Sequence, residues 1–181
     1  VKSQKAAFLD RDGIINVDHG YVYKPEDFSF VPNFPDLAYR LKKLDYLLIV
    51  VTNQSGIARG LYSLEDVQAF HNLIQASLYR EVGIKIDHFF ICPHHPKGTE
   101  HRFSIACECR KPKPGLIDQA IQKFDINLTE SFVLGDKASD IELAKMVGIK
   151  GFQLINGLYS THPDADGYIT SLKDFNPPNT K

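Results

Sequence analysis

Five short apolar runs rich in branched residues, at 6–9, 46–51, 86–91, 131–134 and 152–155, alternate with stretches of helical spacing. Buried strands of a parallel sheet are apolar on both faces, so they read as continuous runs, and each crossover between them needs a long connection, usually a helix. The pattern predicts an α/β fold, with helices over 35–44, 64–82, 116–124 and 140–147 covering one parallel sheet. Ser63 is placed to cap the second helix, with Asp66 at the third helical position, where Glu or Gln is more usual. Gly148 stops the last helix. A chain of 181 residues with 43% apolar content suits one full-sized core, and no repeat or composition break marks a second domain. The tail "FNPPNTK" reads as a surface end.

The first, second and fourth runs each end directly in a polar cluster, and ligands of open parallel sheets bind beyond the carboxyl ends of the strands. "FLDRDG" puts Asp10 at a strand end and Asp12 two residues on, with Gly13 allowing a tight turn. Two carboxylates this close repel, and a cation beside them relieves that cost; hard oxygen ligands favour Mg²⁺. Capping or solvent-facing aspartates are the plainer reading of this motif alone. "VVTNQSG" supplies Thr52, Asn53, Gln54 and Ser55, whose hydroxyls and amides suit phosphate oxygens, although turns favour the same residues. "VLGDKASD" adds Asp136, with Lys137 adjacent and Asp140 one helical turn on. Three strand ends with the same chemistry point to a phosphoryl-transfer site.

Lys and Arg (21) nearly balance Asp and Glu (22), which argues against a general nucleic-acid or anionic-membrane surface. No apolar run reaches the length of a membrane span, and the N-terminal stretch has no signal-like core. All three cysteines fall at 92–109. Cys92-Pro-His94 and Cys107-Glu-Cys109 form two pairs of soft or borderline ligands, and a filled Cys₃His set around tetrahedral Zn²⁺ leaves no open position for catalysis. Such a site is structural. On spacing, His95 and His101 rival His94, and three free thiols are the plainer alternative; a zinc knuckle for nucleic acid lacks a basic helix or aromatic platform. The odd cysteine count fits a reducing, cytoplasmic setting better than a disulfide framework. Zinc would tie an otherwise irregular loop just before Arg110 and Lys111, holding those cations over a phosphate.

Asp10-Arg11-Asp12-Gly13, Thr52, Lys111 and Gly135-Asp136 with Asp140 resemble the four motifs of the haloacid dehalogenase (HAD) superfamily of phosphohydrolases. The resemblance implies that Asp10 is the nucleophile and forms an aspartyl phosphate, and that Asp12 is the general acid and base. It also implies that Thr52 and Lys111 hold the transferring phosphoryl. Asp10, Asp136 and the main-chain carbonyl of Asp12 would bind Mg²⁺. Ile14 stands where the superfamily commonly has Thr, with only local packing consequences expected. The implied architecture is a three-layer Rossmann-like parallel sheet forming a single domain over 1–181, without a large cap domain and with a zinc-bound loop at 92–109.

From residue 8 to 140, "FLDRDG", "NVDHGYV", "VVTNQSGIARG", "CPHHP", "CRKPKPG" and "GDKASD" together are similar to the small lidless heptose bisphosphate phosphatase family. That similarity implies Cys92, His94, Cys107 and Cys109 as Zn²⁺ ligands. It implies substrate contacts from Asp18, His19, Gly20, Tyr21, Thr52, Asn53, Gln54, Ser55, Arg110, Lys111 and Lys137. The implied role is removal of a C7 phosphate during synthesis of the activated heptose of lipopolysaccharide core, by a cytoplasmic monomer acting on a small phosphorylated sugar, with no nucleic-acid or membrane partner. Histidinol-phosphate phosphatases share the aspartates and the zinc loop; Glu26 or Asp27, if turned inward, would suit their amine ligand, whereas "QSGIARG" favours the heptose enzymes. A non-catalytic phosphosugar-binding module is the third reading, but it would gain little from pairing Asp10 with Asp12.

Overall fold

Six strands run parallel in one sheet in the computed structural model, which describes residues 3–178. They are β1 (Ala6–Leu9), β2 (Leu47–Asn53), β3 (His88–Cys92), β4 (Phe132–Gly135), β5 (Lys150–Leu154) and β6 (Gly167–Ile169). Their order is β3-β2-β1-β4-β5-β6, with Phe8 of β1 opposite Ile49 on one side and Val133 on the other. The helices are α1 (Phe34–Lys43), α2 (Leu64–Val82), α3 (Gly115–Lys123) and α4 (Ala138–Val147).

Every residue of β1 is buried because both faces of the sheet are covered. Successive side chains point to opposite faces. Ala7 and Leu9 join Leu37 and Leu41 of α1 and Phe70 and Ile74 of α2 in one core. Ala6 and Phe8 join Leu116 and Ala120 of α3 and Leu143 and Ala144 of α4 in the other. Full burial of a side chain such as Phe8 stabilises by about 1.5–3 kcal/mol, which is why this apolar run occupies the centre of the sheet. The chain lays down β1, β2 and β3 in one direction and then crosses back to place β4 on the far side of β1. This reversal opens a crevice at the carboxyl ends of β1 and β4.

The loops that reach this crevice carry little regular structure. Between β1 and α1 the only helical element is a 3₁₀ turn at Pro25–Asp27, α2 alone links β2 to β3, and no helix or strand lies at 93–114. The sheet therefore has no large cap domain among the described residues. Ile14, where a Thr is usual in the superfamily, is buried in the core beside α1 and α2 and plays a packing part.

Several element ends differ from the apolar pattern. β3 begins after Ile86, because the Gln75 side chain takes both main-chain groups of Ile86 at 2.8 Å and no strand partner is needed. β5 starts earlier than the apolar run, at Lys150, and β6 was not apparent in the sequence at all, being a three-residue, partly exposed edge strand. The capping box at α2 is complete despite its Asp: Ser63 Oγ accepts from Asp66 N at 3.1 Å, and Asp66 Oδ2 accepts from Ser63 N at 2.8 Å.

The tail is the clearest correction. Phe175 is 1% exposed and packs against Phe132 and Phe152 at ring separations of 5.3 and 5.1 Å. Arg40 donates to the carbonyls of Leu172 and Phe175 at 2.8 Å, which straps the segment to α1. The last three residues of "FNPPNTK" lie outside the described residues. Phe175→Ala should cost about 3–5 kcal/mol in urea unfolding; a surface residue would cost within about 0.5 kcal/mol.

Candidate active site

Asp10 follows β1 directly, and its amide donates to Leu134 O of β4 at 3.0 Å, so its position is set by the sheet. Its carboxylate is 4% exposed as a residue and is approached by two cations. Lys111 Nζ lies 2.9 Å from Oδ1, and Lys137 Nζ lies 4.0 Å from Oδ2. Burial raises the Asp10 pKa above the ordinary carboxylate value; the charge of Lys111 opposes this, while that of Asp140 adds to it.

Lys111 is itself buried and is held by a second carboxylate, Asp140 Oδ1, at 2.6 Å. Burial opposes its charge, but Asp10 and Asp140 outweigh burial and hold Lys111 above the usual lysine range. Its backbone is fixed as well: Lys111 N donates to Asn53 Oδ1 at 2.9 Å, and Asn53 Nδ2 donates to Lys111 O at 3.2 Å. Asp140 sits in the first turn of α4, where its Oδ2 accepts from Lys137 N at 3.1 Å. Gly135 is required opposite it, since a Cβ there would meet Asp140 Oδ2 at 2.1 Å.

Asp136 directly follows β4 and is fully buried, with Oδ2 accepting from Asn156 Nδ2 at 2.8 Å. Its Oδ1 is buried without a hydrogen-bond partner. Burial, and then the charge of Asp10, push its pKa up to about 7. One oxygen each of Asp10, Asp136 and Asp140 lie within 4.8 Å of one another. An unpartnered buried carboxylate oxygen among like charges suits a hard divalent cation. Gly13 makes the approach possible: it has φ +93°, and a Cβ there would meet Asp136 Oδ2 at 2.1 Å.

Asp12 differs in setting. Its Oδ1 accepts from Arg11 Nη2 at 2.8 Å, Arg11 Nε at 3.1 Å and Asn16 Nδ2 at 3.0 Å. Its Oδ2 accepts from Gln54 Nε2 at 3.0 Å, and Gln54 is oriented in turn by Tyr62, whose hydroxyl donates to Gln54 Oε1 at 2.8 Å. Burial would raise the Asp12 pKa, but the Arg11 guanidinium and these hydrogen bonds prevail and hold it below the usual range. Thr52 Oγ1 shares the Gln54 amide at 2.9 Å.

Above these groups opens a cleft of about 290 Å³ lined by Asp12, Asp18, Gly20, Tyr21, Asn53, Ser55, Tyr62, Lys137 and Tyr159. Of the expected substrate contacts, Asp18, Gly20, Tyr21, Asn53, Ser55 and Lys137 line it; Thr52, Gln54 and Lys111 lie beneath it among the groups described above, and His19 and Arg110 are not in its lining. His19 is exposed, and Arg110 reaches back toward His94 O at 3.4 Å. Sequence reasoning missed Arg11, Asn16, Tyr62, Asn156 and Tyr159. Asn156 stands just past a predicted strand end and could have been found by the same rule as Asp10; Tyr159 carries no such signal.

The three sulfur donors and one nitrogen donor form a second cluster where the end of β3 and the two ends of the 93–114 loop meet. Cys92 Sγ is 3.5 Å from Cys107 Sγ, 3.0 Å from Cys109 Sγ and 3.8 Å from His94 Nδ1. Cys109 Sγ is 3.4 Å from Cys107 Sγ and 3.3 Å from His94 Nδ1. Edges of a tetrahedron around Zn²⁺ with such donors run about 3.3–3.8 Å; four of these five separations lie in that range, the Cys92–Cys109 pair is tighter at 3.0 Å, and the donor set fits a metal ion. His95, the rival ligand, points elsewhere: its Nε2 lies 3.2 Å from Arg59 Nη2.

A HAD-hydrolase-like family model matches residues 108–174. The D-glycero-β-D-manno-heptose-1,7-bisphosphate 7-phosphatase of Photorhabdus laumondii is 43% identical over 144 residues, which cover 80% of this chain and 76% of that protein. The enzyme of the same name from Escherichia coli K12 is 38% identical over 177 residues, 96% of this chain and 92% of that one. Among solved structures, D,D-heptose 1,7-bisphosphate phosphatase from B. bronchiseptica, complexed with magnesium and phosphate, matches with a TM-score of 0.79 at 28% identity, over 93% of each chain. With the strand-end aspartates and this likeness together, the chain belongs to the HAD phosphatases, which are phosphoric monoester hydrolases, and within them it is closely related to the D-glycero-D-manno-heptose 1,7-bisphosphate 7-phosphatases.

Proposed function

We propose that this chain, as a single catalytic domain, hydrolyses the C7 phosphate of D-glycero-β-D-manno-heptose 1,7-bisphosphate through an aspartyl phosphate on Asp10, with Mg²⁺ as cofactor. The observation that carries the reading is the meeting of Asp10, Asp12 and Asp136, just past the ends of the adjacent strands β1 and β4, with Lys111 from the loop after β3, beneath a cleft walled by hydroxyls, amides and a carboxylate. The named relatives supply the substrate. The cytoplasmic setting, the monomeric state and the place in heptose nucleotide synthesis that the sequence resemblance implies go with this proposal.

Asp10, Asp136 and the main-chain carbonyl of Asp12 would hold the Mg²⁺, which when bound offsets the charge of the phosphoryl oxygens. An Asp10 carboxylate oxygen forms a bond to phosphorus as the bond to the sugar oxygen breaks, and the departing electron pair stays on that oxygen. Asp12, which faces the cleft and which Arg11 holds toward its carboxylate form, must first take up a proton; it would then deliver that proton to the departing oxygen and take one back from the water that displaces Asp10. Lys111 stays beside Asp10 throughout and, with Thr52, steadies the phosphoryl group. Lys137, paired with Asp18 at 3.3 Å, supplies a second positive charge at the cleft floor.

Zinc in the Cys92, His94, Cys107 and Cys109 cluster belongs to the same reading, as a structural ion. It would anchor the loop that leads into Arg110 and Lys111, and Lys111 is the residue on which the Asp10 arrangement rests.

Nothing in the site favours histidinol phosphate. Glu26 and Asp27 are exposed and do not line the cleft, and the one outer carboxylate that does, Asp18, is already paired with Lys137.

In initial-rate phosphate release with Mg²⁺, a heptose 1,7-bisphosphate should exceed histidinol phosphate by at least about 100-fold in kcat/KM, or roughly 2.7 kcal/mol; faster release from histidinol phosphate would sink the assignment. Asp10→Asn should lower turnover by about a thousandfold or more while leaving the thermal unfolding profile cooperative, and acid-quenched wild type, but not the variant, should carry covalent phosphate. Cys107→Ser should abolish zinc content by elemental analysis, raise hydrogen exchange across 93–114 and lower turnover by about tenfold or more. Full turnover without zinc would show that the ion does not position Lys111.

A further inference from the structure

Tyr159 lies in the connection between β5 and β6, far in sequence from every motif discussed above, yet it forms one wall of the cleft. It is not a stray surface aromatic. Its hydroxyl reaches Asp18 Oδ2 at 3.4 Å, and the Lys137 ammonium sits 5.1 Å from its ring centroid. Its connection is built onto the catalytic turn: the buried Gln153 donates to Asp136 O at 3.1 Å and to Ser160 O at 2.9 Å, and accepts from His162 N at 2.7 Å. Asn156, three residues before Tyr159, holds Asp136 Oδ2.

We propose that Tyr159 is a substrate-binding, specificity-determining residue that contacts the sugar portion of the substrate. The inference rests on the phosphatase reading above. Lys137 Nζ is 4.0 Å from Asp10 Oδ2, so the Tyr159 ring centre lies no farther from the nucleophile's oxygen than that length and the Lys137-to-ring distance combined. A seven-carbon sugar esterified at the phosphorus that Asp10 attacks is long enough to span this interval, and the cleft that Tyr159 walls is the opening above Asp12 through which it would extend. The cleft offers it Tyr21 and Tyr62 beside the polar groups of Asp18, Asn53 and Ser55. A rigid aromatic ring with a polar tip covers the C–H face of a polyol while its hydroxyl meets the oxygens, at small cost in side-chain entropy. Tyr159 is 40% exposed and so has area left to bury on binding.

The test compares Tyr159→Ala and Tyr159→Phe with wild type on two esters: the sugar phosphate that wild type turns over fastest, and acetyl phosphate, which has no polyol. For Tyr159→Ala, kcat/KM on the sugar phosphate should fall at least tenfold, chiefly through KM, and at least fivefold more than on acetyl phosphate. Tyr159→Phe, which keeps the ring and is the safer variant for folding, should lose two- to fivefold on the sugar ester and less on acetyl phosphate. Equal losses on both esters would mean that Tyr159 only props Lys137, and no loss on either would make it a bystander; each overturns the proposal. Because the sugar ester is chosen by wild-type rate, failure of the heptose assignment leaves this comparison intact.

Discussion

The buried contact of Lys111 with Asp10 and Asp140 is the interaction on which the rest of the site depends. Taking three charges out of water is costly, and removing one partner of such a set typically costs about 3–5 kcal/mol because it strands another. The arrangement persists because several elements hold each member. β1 and β4 place Asp10, the first turn of α4 places Asp140, and Asn53 at the end of β2 grips the Lys111 backbone from both sides. A net of two negative and one positive charge remains, and Asp136 adds a carboxylate with an unpartnered oxygen. The pocket thus carries a surplus of negative charge that a divalent cation would offset, which in turn would let an anionic phosphoryl group approach Asp10.

The two carboxylates of the first motif are tuned in opposite directions. Asp10 is raised by burial and left partly uncompensated, whereas Asp12 is held down by Arg11, Asn16 and Gln54. Two residues of spacing produce this difference because the turn at Gly13 sends one side chain toward the sheet's crevice and leaves the other against a bed of N–H donors. A nucleophile must be ionised and a proton donor protonated, so a divalent cation beside Asp10 would favour its carboxylate, and Asp12 has to take up a proton before it can donate one.

The cysteine and histidine donors address a different cost. Residues 93–114 form no helix or strand, so ordering them must be offset by something other than backbone ladders. Metal-ligand bonds would serve that purpose where the donors from both ends of the segment meet, and contacts of the turn with Ala58 O, from Thr99 N at 2.7 Å and Glu100 N at 2.9 Å, hold its middle. The loop delivers Lys111 to the crevice in a defined place.

The residues alone were enough for the parallel sheet, four helices, the strand-end aspartates and the clustering of the three cysteines with histidines, because each writes a local signal: continuous apolar runs, 3.6-residue periodicity, or a rare residue type at ligand spacing; only the fold put His94 rather than His95 beside the sulfurs. The ends of β3 and β5 were less legible, since a side chain such as Gln75 can replace a strand partner without leaving a pattern. The burial of Phe175 and the edge strand β6 were invisible for the same reason: a short segment is placed by what it packs against. Tertiary structure alone decided which polar residues share the cleft. It brought Tyr159 of the β5–β6 connection beside Asp18 and Lys137, because long-range packing sets where a loop residue points, whereas sequence spacing governs only the residues that a helix turn or strand pleat keeps in step.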